Sequence, residues 1–465
     1  MVLGMEWMEL SNWDLFVLVL VFVLILRPLT LYWSWSSRGG GAPTLLFADT
    51  DRNARILRKV APLREAYVPS PFLDHRLGGH MQSFMFATWT PLRQQLRLSK
   101  VASRQESVTS TFDGGAFTLD WWEFGPLPAD APVVFVIPGV VGKGSNVYVR
   151  HMAAHLYERG YRTVAKCWRG IGSPLTTRRP ETWDEVAMSD AMDAILHVRK
   201  VVGKDVPMVG VGFSFGGCML TTLAGTVGRR KHGLNAVVSI SGLFDMGSMM
   251  HHIIEEAPMY DLANTKVTLS NYRKHRILDT LRQESKPPAT AVGGGNRSLS
   301  PEDAGAEALG GGPVLCIPEQ LSGMKSAEAF HNTFTLPFTG DESVQAYFTR
   351  IEDLLLSALP GVDVPVLALQ AKDDPLCPPL AWQKALALAA QNDHIMVATT
   401  DRGGHCGWFT GLTGSSWLDV VTGAFLDAVQ CETEGPMTVS KTVSQGSDLL
   451  QESLARRGGP RALAF

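Results

Sequence analysis

Cysteine pairs are missing from this chain. Its six cysteines, Cys167, Cys218, Cys316, Cys377, Cys406 and Cys431, are scattered without a CxxC spacing. That excludes a disulfide framework and a zinc-ligand pattern, and it fits a reducing compartment. Charge of one sign is also missing. A net charge of −3 over 465 residues leaves no electrostatic footprint for nucleic acid. No Lys or Arg precedes the one long apolar run, Leu15 to Leu26, so the run makes a poor signal peptide.

What is present begins with that run. A helix over Leu15–Leu26 alone would reach about 18 Å, short of a bilayer core of about 30 Å. Extension through Arg27 to Trp35, or back to Trp7, supplies the length, and Arg27 can snorkel to a headgroup region. Trp7, Trp13, Tyr32, Trp33 and Trp35 stand where interfacial aromatics belong. Residues 1–36 are therefore expected to be a single-pass membrane anchor. Arg27, Arg38, Arg52, Arg55, Arg58 and Lys59 follow it, which puts the rest of the chain on the cytosolic side. The endoplasmic reticulum is one candidate membrane. Residues 37–60 read as a linker.

From residue 61 to 430 the chain reads as one catalytic domain. Glu106–Thr111 and Phe117–Trp122 form a hairpin pattern around Asp113-Gly114-Gly115. Continuous apolar strands then alternate with helical patterns. The strands are Val133–Ile137, Thr163–Trp168, Pro207–Gly212, Ala236–Ile240, Val366–Ala371 and Ile395–Thr400. Such strands imply a mostly parallel, doubly wound α/β sheet covered on both faces. Residues 245–350 interrupt the alternation and read as a helical cap. Within them, 285–323 carries Pro287-Pro288 and two glycine triplets and reads as a disordered insertion. Residues 431–465 read as a disordered tail.

The chemistry centres on Gly212-Phe-Ser-Phe-Gly216, between an apolar strand and an apolar helix. This is the pattern of a nucleophile elbow: the serine stands on a sharp turn, and the glycines clear the strand–helix crossing. After the strand Val366–Ala371 comes Lys372-Asp-Asp-Pro375, and after Ile395–Thr400 comes Gly403-Gly-His405. Serine, acid and histidine thus follow three strands in the chain order of α/β hydrolases. Ser214 is the expected nucleophile, His405 its base, and Asp374, preferred to Asp373, the acid that orients the histidine. The loop Pro138-Gly-Val-Val-Gly142 follows an earlier strand. Val140, with Phe215 after the nucleophile, is the expected oxyanion-hole donor. No metal or other cofactor is expected.

These segments resemble the YheT-type α/β hydrolases, which include the abhydrolase domain-containing proteins 1 and 3. The resemblance rests on Tyr67-Val-Pro69, Pro138-Gly-Val-Val-Gly142, Trp168-Arg-Gly170, Gly212-Phe-Ser-Phe-Gly-Gly217, Asp373-Asp-Pro375 and Gly403-Gly-His405. It covers about residues 60–430 outside the insertion. Pro138 stands where that family carries a histidine. The resemblance implies an α/β-hydrolase fold, an N-terminal membrane helix and cleavage of carboxylic esters, including phospholipids with shorter acyl chains. It carries the nucleophile, acid and base roles onto Ser214, Asp374 and His405.

The expected partners are a lipid ester substrate and the bilayer. Phe330, Phe334 and Phe338, with Tyr347 and Phe348, either line an acyl channel or serve as ordinary core aromatics. Arg169, after a strand at the same sheet edge, either binds an acidic headgroup or steadies the site. The second role is preferred. The basic run Arg273–Arg276 reads as a solvated cap face, and Cys218 and Cys406 as small packing residues. Two other functions are carried beside this one: acyl transfer to an alcohol from the same acyl-enzyme, and a hydrolase fold without catalysis that acts as a membrane receptor, although such folds usually lack a member of the serine–histidine–acid set and this chain has all three.

Overall fold

Val133–Ile137 contains no polar side chain, and all five residues are buried. Val133, Phe135 and Ile137 enter the core on one face, while Val134 and Val136 enter the core on the other. Only a sheet covered on both sides can accommodate such a strand. The computed structural model describes residues 41–73, 77–88, 101–177, 179–180, 182–275, 277–278 and 323–432. The expected anchor at 1–36, nearly all of the insertion and nearly all of the tail lie outside them. Among the described residues, no helix is long and apolar enough to cross a membrane.

The sheet uses β1 (Thr44–Leu46), β2 (Ala102–Thr109), β3 (Ala116–Glu123), β4 (Val133–Ile137), β5 (Arg162–Lys166), β6 (Met208–Phe213), β7 (Val237–Ile240), β8 (Val366–Ala371) and β9 (Ile395–Thr400). Their spatial order is β1-β9-β8-β7-β6-β4-β5-β3-β2. β4 to β9 pair in parallel, and β1, β2 and β3 close the two edges antiparallel. The β2–β3 hairpin turns at Gly114, whose φ is 75°.

Residues 37–60 are not a plain linker. β1 pairs with β9 through Thr44–Thr399, Leu45–Ala398 and Leu46–Val397. Helix α1 (Asp51–Lys59) follows, with the Thr50 hydroxyl accepting from the Asn53 amide as its N-cap. Ile56 and Leu57 are buried beneath it. A strand of three residues is too short to show periodicity, and the basic residues of α1 occupy the solvent side of an amphipathic helix.

A second helix, α2 (Gly78–Thr88), precedes β2. Helices α3 (Val147–Glu158), α4 (Glu185–Val202) and α5 (Phe215–Val227) fall in the expected alternation. Between β7 and β8 come α6 (Met246–His251), a π turn over His252–Glu256, α7 (Pro258–Lys274), α8 (Ala327–Phe334) and α9 (Val344–Ala358). These form the cap. The His252 ring meets the Pro375 carbonyl oxygen at 3.2 Å, tying the cap to the loop after β8. The chain continues through α10 (Gln383–Ala389) and ends its described part with α11 (Trp417–Gln430).

Candidate active site

Ser214 ends β6 and precedes α5 with φ 53° and ψ −125°. A non-glycine residue held there stores strain, which the surrounding contacts must hold in place. The Ser214 amide donates to the Ile240 carbonyl at 2.7 Å, and its own carbonyl accepts from Gly217 at 2.9 Å. A Cβ at Gly212 would stand 2.3 Å from Gly216 O, and one at Gly216 would stand 2.2 Å from Ile137 O. Larger residues at either position would force the crossing apart.

The His405 Nε2 lies 2.8 Å from Ser214 Oγ, and its Nδ1 lies 2.8 Å from Asp374 Oδ2. The other oxygen of Asp374 accepts from the amides of Leu376 and Cys377 at 2.8 and 2.9 Å. Asp373 faces elsewhere: its Oδ1 accepts from the Gly404 amide at 2.8 Å and holds the histidine loop. That loop is under backbone constraint, with positive φ at Gly404, Cys406 and Trp408. Ser83 on α2 accepts from the His405 amide at 2.7 Å. Burial pulls the His405 pKa down, but the Asp374 carboxylate outweighs it and holds the imidazole well above the ordinary histidine value.

The loop after β4 folds over Ser214. The Gly142 amide donates to the Gly139 carbonyl at 2.9 Å, and Val141 takes φ 53°. Among the described residues, the amides of Val140 and Phe215 have no acceptor in the protein. Both belong to segments that flank the serine.

Over these residues, and beneath the cap, lies a cavity of about 340 Å³. Ser214, His405 and Val140 line it, with Met249, Met250 and Ile253 from the cap. Phe330 and Phe334 are also on its wall. Phe338, Tyr347 and Phe348 are not; they are buried in the core cluster that the cap shares with the sheet.

Arg169 is among the residues that line the cavity, and its guanidinium is bonded within the protein. The side chain is fully buried, with Nε and Nη2 on Asp190 at 2.5 and 2.7 Å and Nη1 on Asp113 at 2.7 Å. It holds the β2–β3 hairpin to α4. Burial works against its charge, but the two carboxylates raise its pKa above the ordinary arginine value.

Phe86, Tyr148, Trp183 and Tyr272 also line the cavity, as sequence reasoning had not anticipated. Phe86 and Tyr148 follow ordinary helical spacing, which carries no sign of a binding wall. Among the described residues, Asp374, Cys377 and His405 are close enough together to share a metal ion. Two of the three are already committed to each other by a hydrogen bond.

A serine hydroxyl bonded to an imidazole, itself bonded to a carboxylate, can lose its proton as it attacks a carbonyl carbon. The chain is 23% identical over 394 residues to embryogenesis-associated protein EMB8 of Picea glauca, covering 81% of this chain and 75% of the relative. It is 24% identical over 352 residues to phospholipase ABHD3 of Mus musculus, covering 73% and 75%. It is 21% identical over 432 residues to monoacylglycerol lipase ABHD2 of Danio rerio, covering 88% and 89%. Residues 132–411, well over half of the chain, match the family model of the alpha/beta hydrolase fold, and the protein belongs to that family.

Proposed function

We propose that the protein is a serine carboxylic-ester hydrolase acting on lipid esters of shorter or medium acyl chain. The observation that carries this reading is the hydrogen-bonded series Ser214–His405–Asp374 at the head of an apolar cavity. Ser214 Oγ attacks the ester carbonyl while His405 Nε2 takes its proton. The carbonyl oxygen becomes an oxyanion that accepts from the amides of Val140 and Phe215. Collapse breaks the bond to the alcohol, which leaves with the proton from His405. Water, deprotonated by the same nitrogen, then releases the acid and restores Ser214. Asp374 keeps the imidazole in the productive tautomer throughout.

Two observations support the lipid assignment. The relatives include a phospholipase and monoacylglycerol lipases. The acyl side of the cavity is walled by Met249, Met250, Ile253, Phe330 and Phe334, which reward each buried methylene by about 0.8 kcal/mol.

The proposed substrate source is the bilayer. The apolar run Leu15–Leu26 and the basic residues after it support a single-pass anchor with the catalytic part on the cytosolic side. Leu77, just before α2, and Met81 and Phe84 on it recur at helical spacing and are 60%, 43% and 66% exposed. Met259 on α7, 82% exposed, stands next to Tyr260, whose hydroxyl meets His80 of α2 at 2.5 Å. This apolar stripe belongs to the helix that supplies Phe86 to the cavity wall, so a membrane face is its proposed occupant.

Fluorophosphonate labelling tests the reading. The wild-type protein is expected to take the label on Ser214, and Ser214→Ala to lose both label and ester hydrolysis, the latter by about 10⁶-fold in kcat. A folded wild-type protein that takes no label would sink the proposal.

A further inference from the structure

The Tyr148 hydroxyl stands at the oxyanion loop and has a proton to give. Tyr148 lines the same cavity as Ser214, Val140 and His405. The Gly139 amide donates to its oxygen at 3.3 Å. Gly139 is in contact with the nucleophile: a Cβ there would stand 3.6 Å from Ser214 Cβ. The ring itself is held in place. It stacks on Phe86 at 4.1 Å between centroids and meets the edge of Phe213, the residue before the nucleophile, at 4.8 Å.

A phenol has one proton to donate and lone pairs to accept with. Accepting from Gly139 uses a lone pair and leaves the O–H free to act as a donor. Among the described residues, no acceptor takes it. Pro138, at the head of the loop, has no N–H to contribute, and the phenol occupies the amide of Gly139. The loop's next amide is that of Val140.

We propose that Tyr148 donates a third hydrogen bond to the oxyanion formed when Ser214 attacks, beside the amides of Val140 and Phe215. This rests on the ester-hydrolase reading. Burial pushes the phenol pKa up, so the donor proton is kept through the neutral range. The bond is made to the charged oxygen of the intermediate more strongly than to the ground-state carbonyl, and it therefore acts on kcat more than on KM.

Tyr148→Phe tests it, together with 3,5-difluorotyrosine at position 148, which keeps the ring and makes the phenol more acidic. Tyr148→Phe is expected to lower kcat about 100- to 1,000-fold with KM within about twofold, and to weaken a trifluoromethyl ketone inhibitor by a similar factor. The fluorinated phenol is expected to restore kcat below its own pKa and to add an alkaline limb to the pH–rate profile as it ionises. A phenol that only positions the loop would give no new limb, and that result would overturn the proposal. So would a Tyr148→Phe enzyme with wild-type kcat. A wild-type protein without esterase activity would instead overturn the reading on which the proposal rests.

Discussion

Arg169 is a guanidinium without exposed side-chain surface, paired to a carboxylate that is equally buried. Removing one member of such a pair leaves an uncompensated charge inside the protein. Arg169→Ala is expected to lower the unfolding free energy by about 3–5 kcal/mol, read from a denaturant midpoint. Arg169→Lys is expected to recover little of it, because an ammonium cannot span Asp190 and Asp113 with fixed bidentate geometry. An Arg169→Ala protein of unchanged stability that bound an anionic headgroup less well would return this residue to the substrate site. The adjacent Asp373 and Asp374 make the same point about position. One holds a loop amide and the other holds the imidazole, although they share chemistry and sequence context.

Among the elements, α2 serves two faces at once. Ser83 accepts from the His405 amide, and the Gln82 side chain accepts from the Phe409 amide at 3.1 Å and the Tyr67 hydroxyl at 3.1 Å. Those bonds secure the histidine loop from below. The outward face carries Met81 and Phe84, with Leu77 just before the helix. Replacing all three with Gln is expected to lower hydrolysis of a vesicle-borne ester by about tenfold or more, since each apolar side chain adds on the order of 1.5–3 kcal/mol when removed from water. Turnover of a water-soluble ester is expected to stay unchanged. Equal losses on both substrates would show that the stripe supports the fold and not a membrane contact.

The whole molecule places a cap of α6 to α9 over the C-terminal ends of the parallel strands, where ligands of open α/β sheets bind. The cavity between cap and sheet, about 340 Å³, falls at the small end of the roughly 300–1,000 Å³ typical of ligand sites. It has room for one acyl chain of modest length. Across a series of esters, kcat/KM is expected to rise about fourfold per added methylene and to level off at medium chains. A profile that peaks at acetyl esters would refute the lipid assignment and leave the serine mechanism standing.

The sequence by itself determined the strands from β2 to β9, the elbow and the order of serine, acid and histidine. Each of these depends on a local requirement: two apolar faces for β4, no side chain at Gly212 and Gly216, a loop directly after β8 and β9. Val366–Ala371 and Ile395–Thr400 have the same bounds in the structure as in the hydropathy pattern. Tertiary structure decided what depends on distant partners. Ser83 lies 322 residues from the histidine it secures, and Asp113 lies 56 residues from Arg169. Phe330, Phe334 and Phe338 share one helical spacing pattern, yet the first two face the cavity and the third faces the core. Periodicity marks an apolar face, but only the neighbouring elements determine whether that face meets a substrate or another part of the protein.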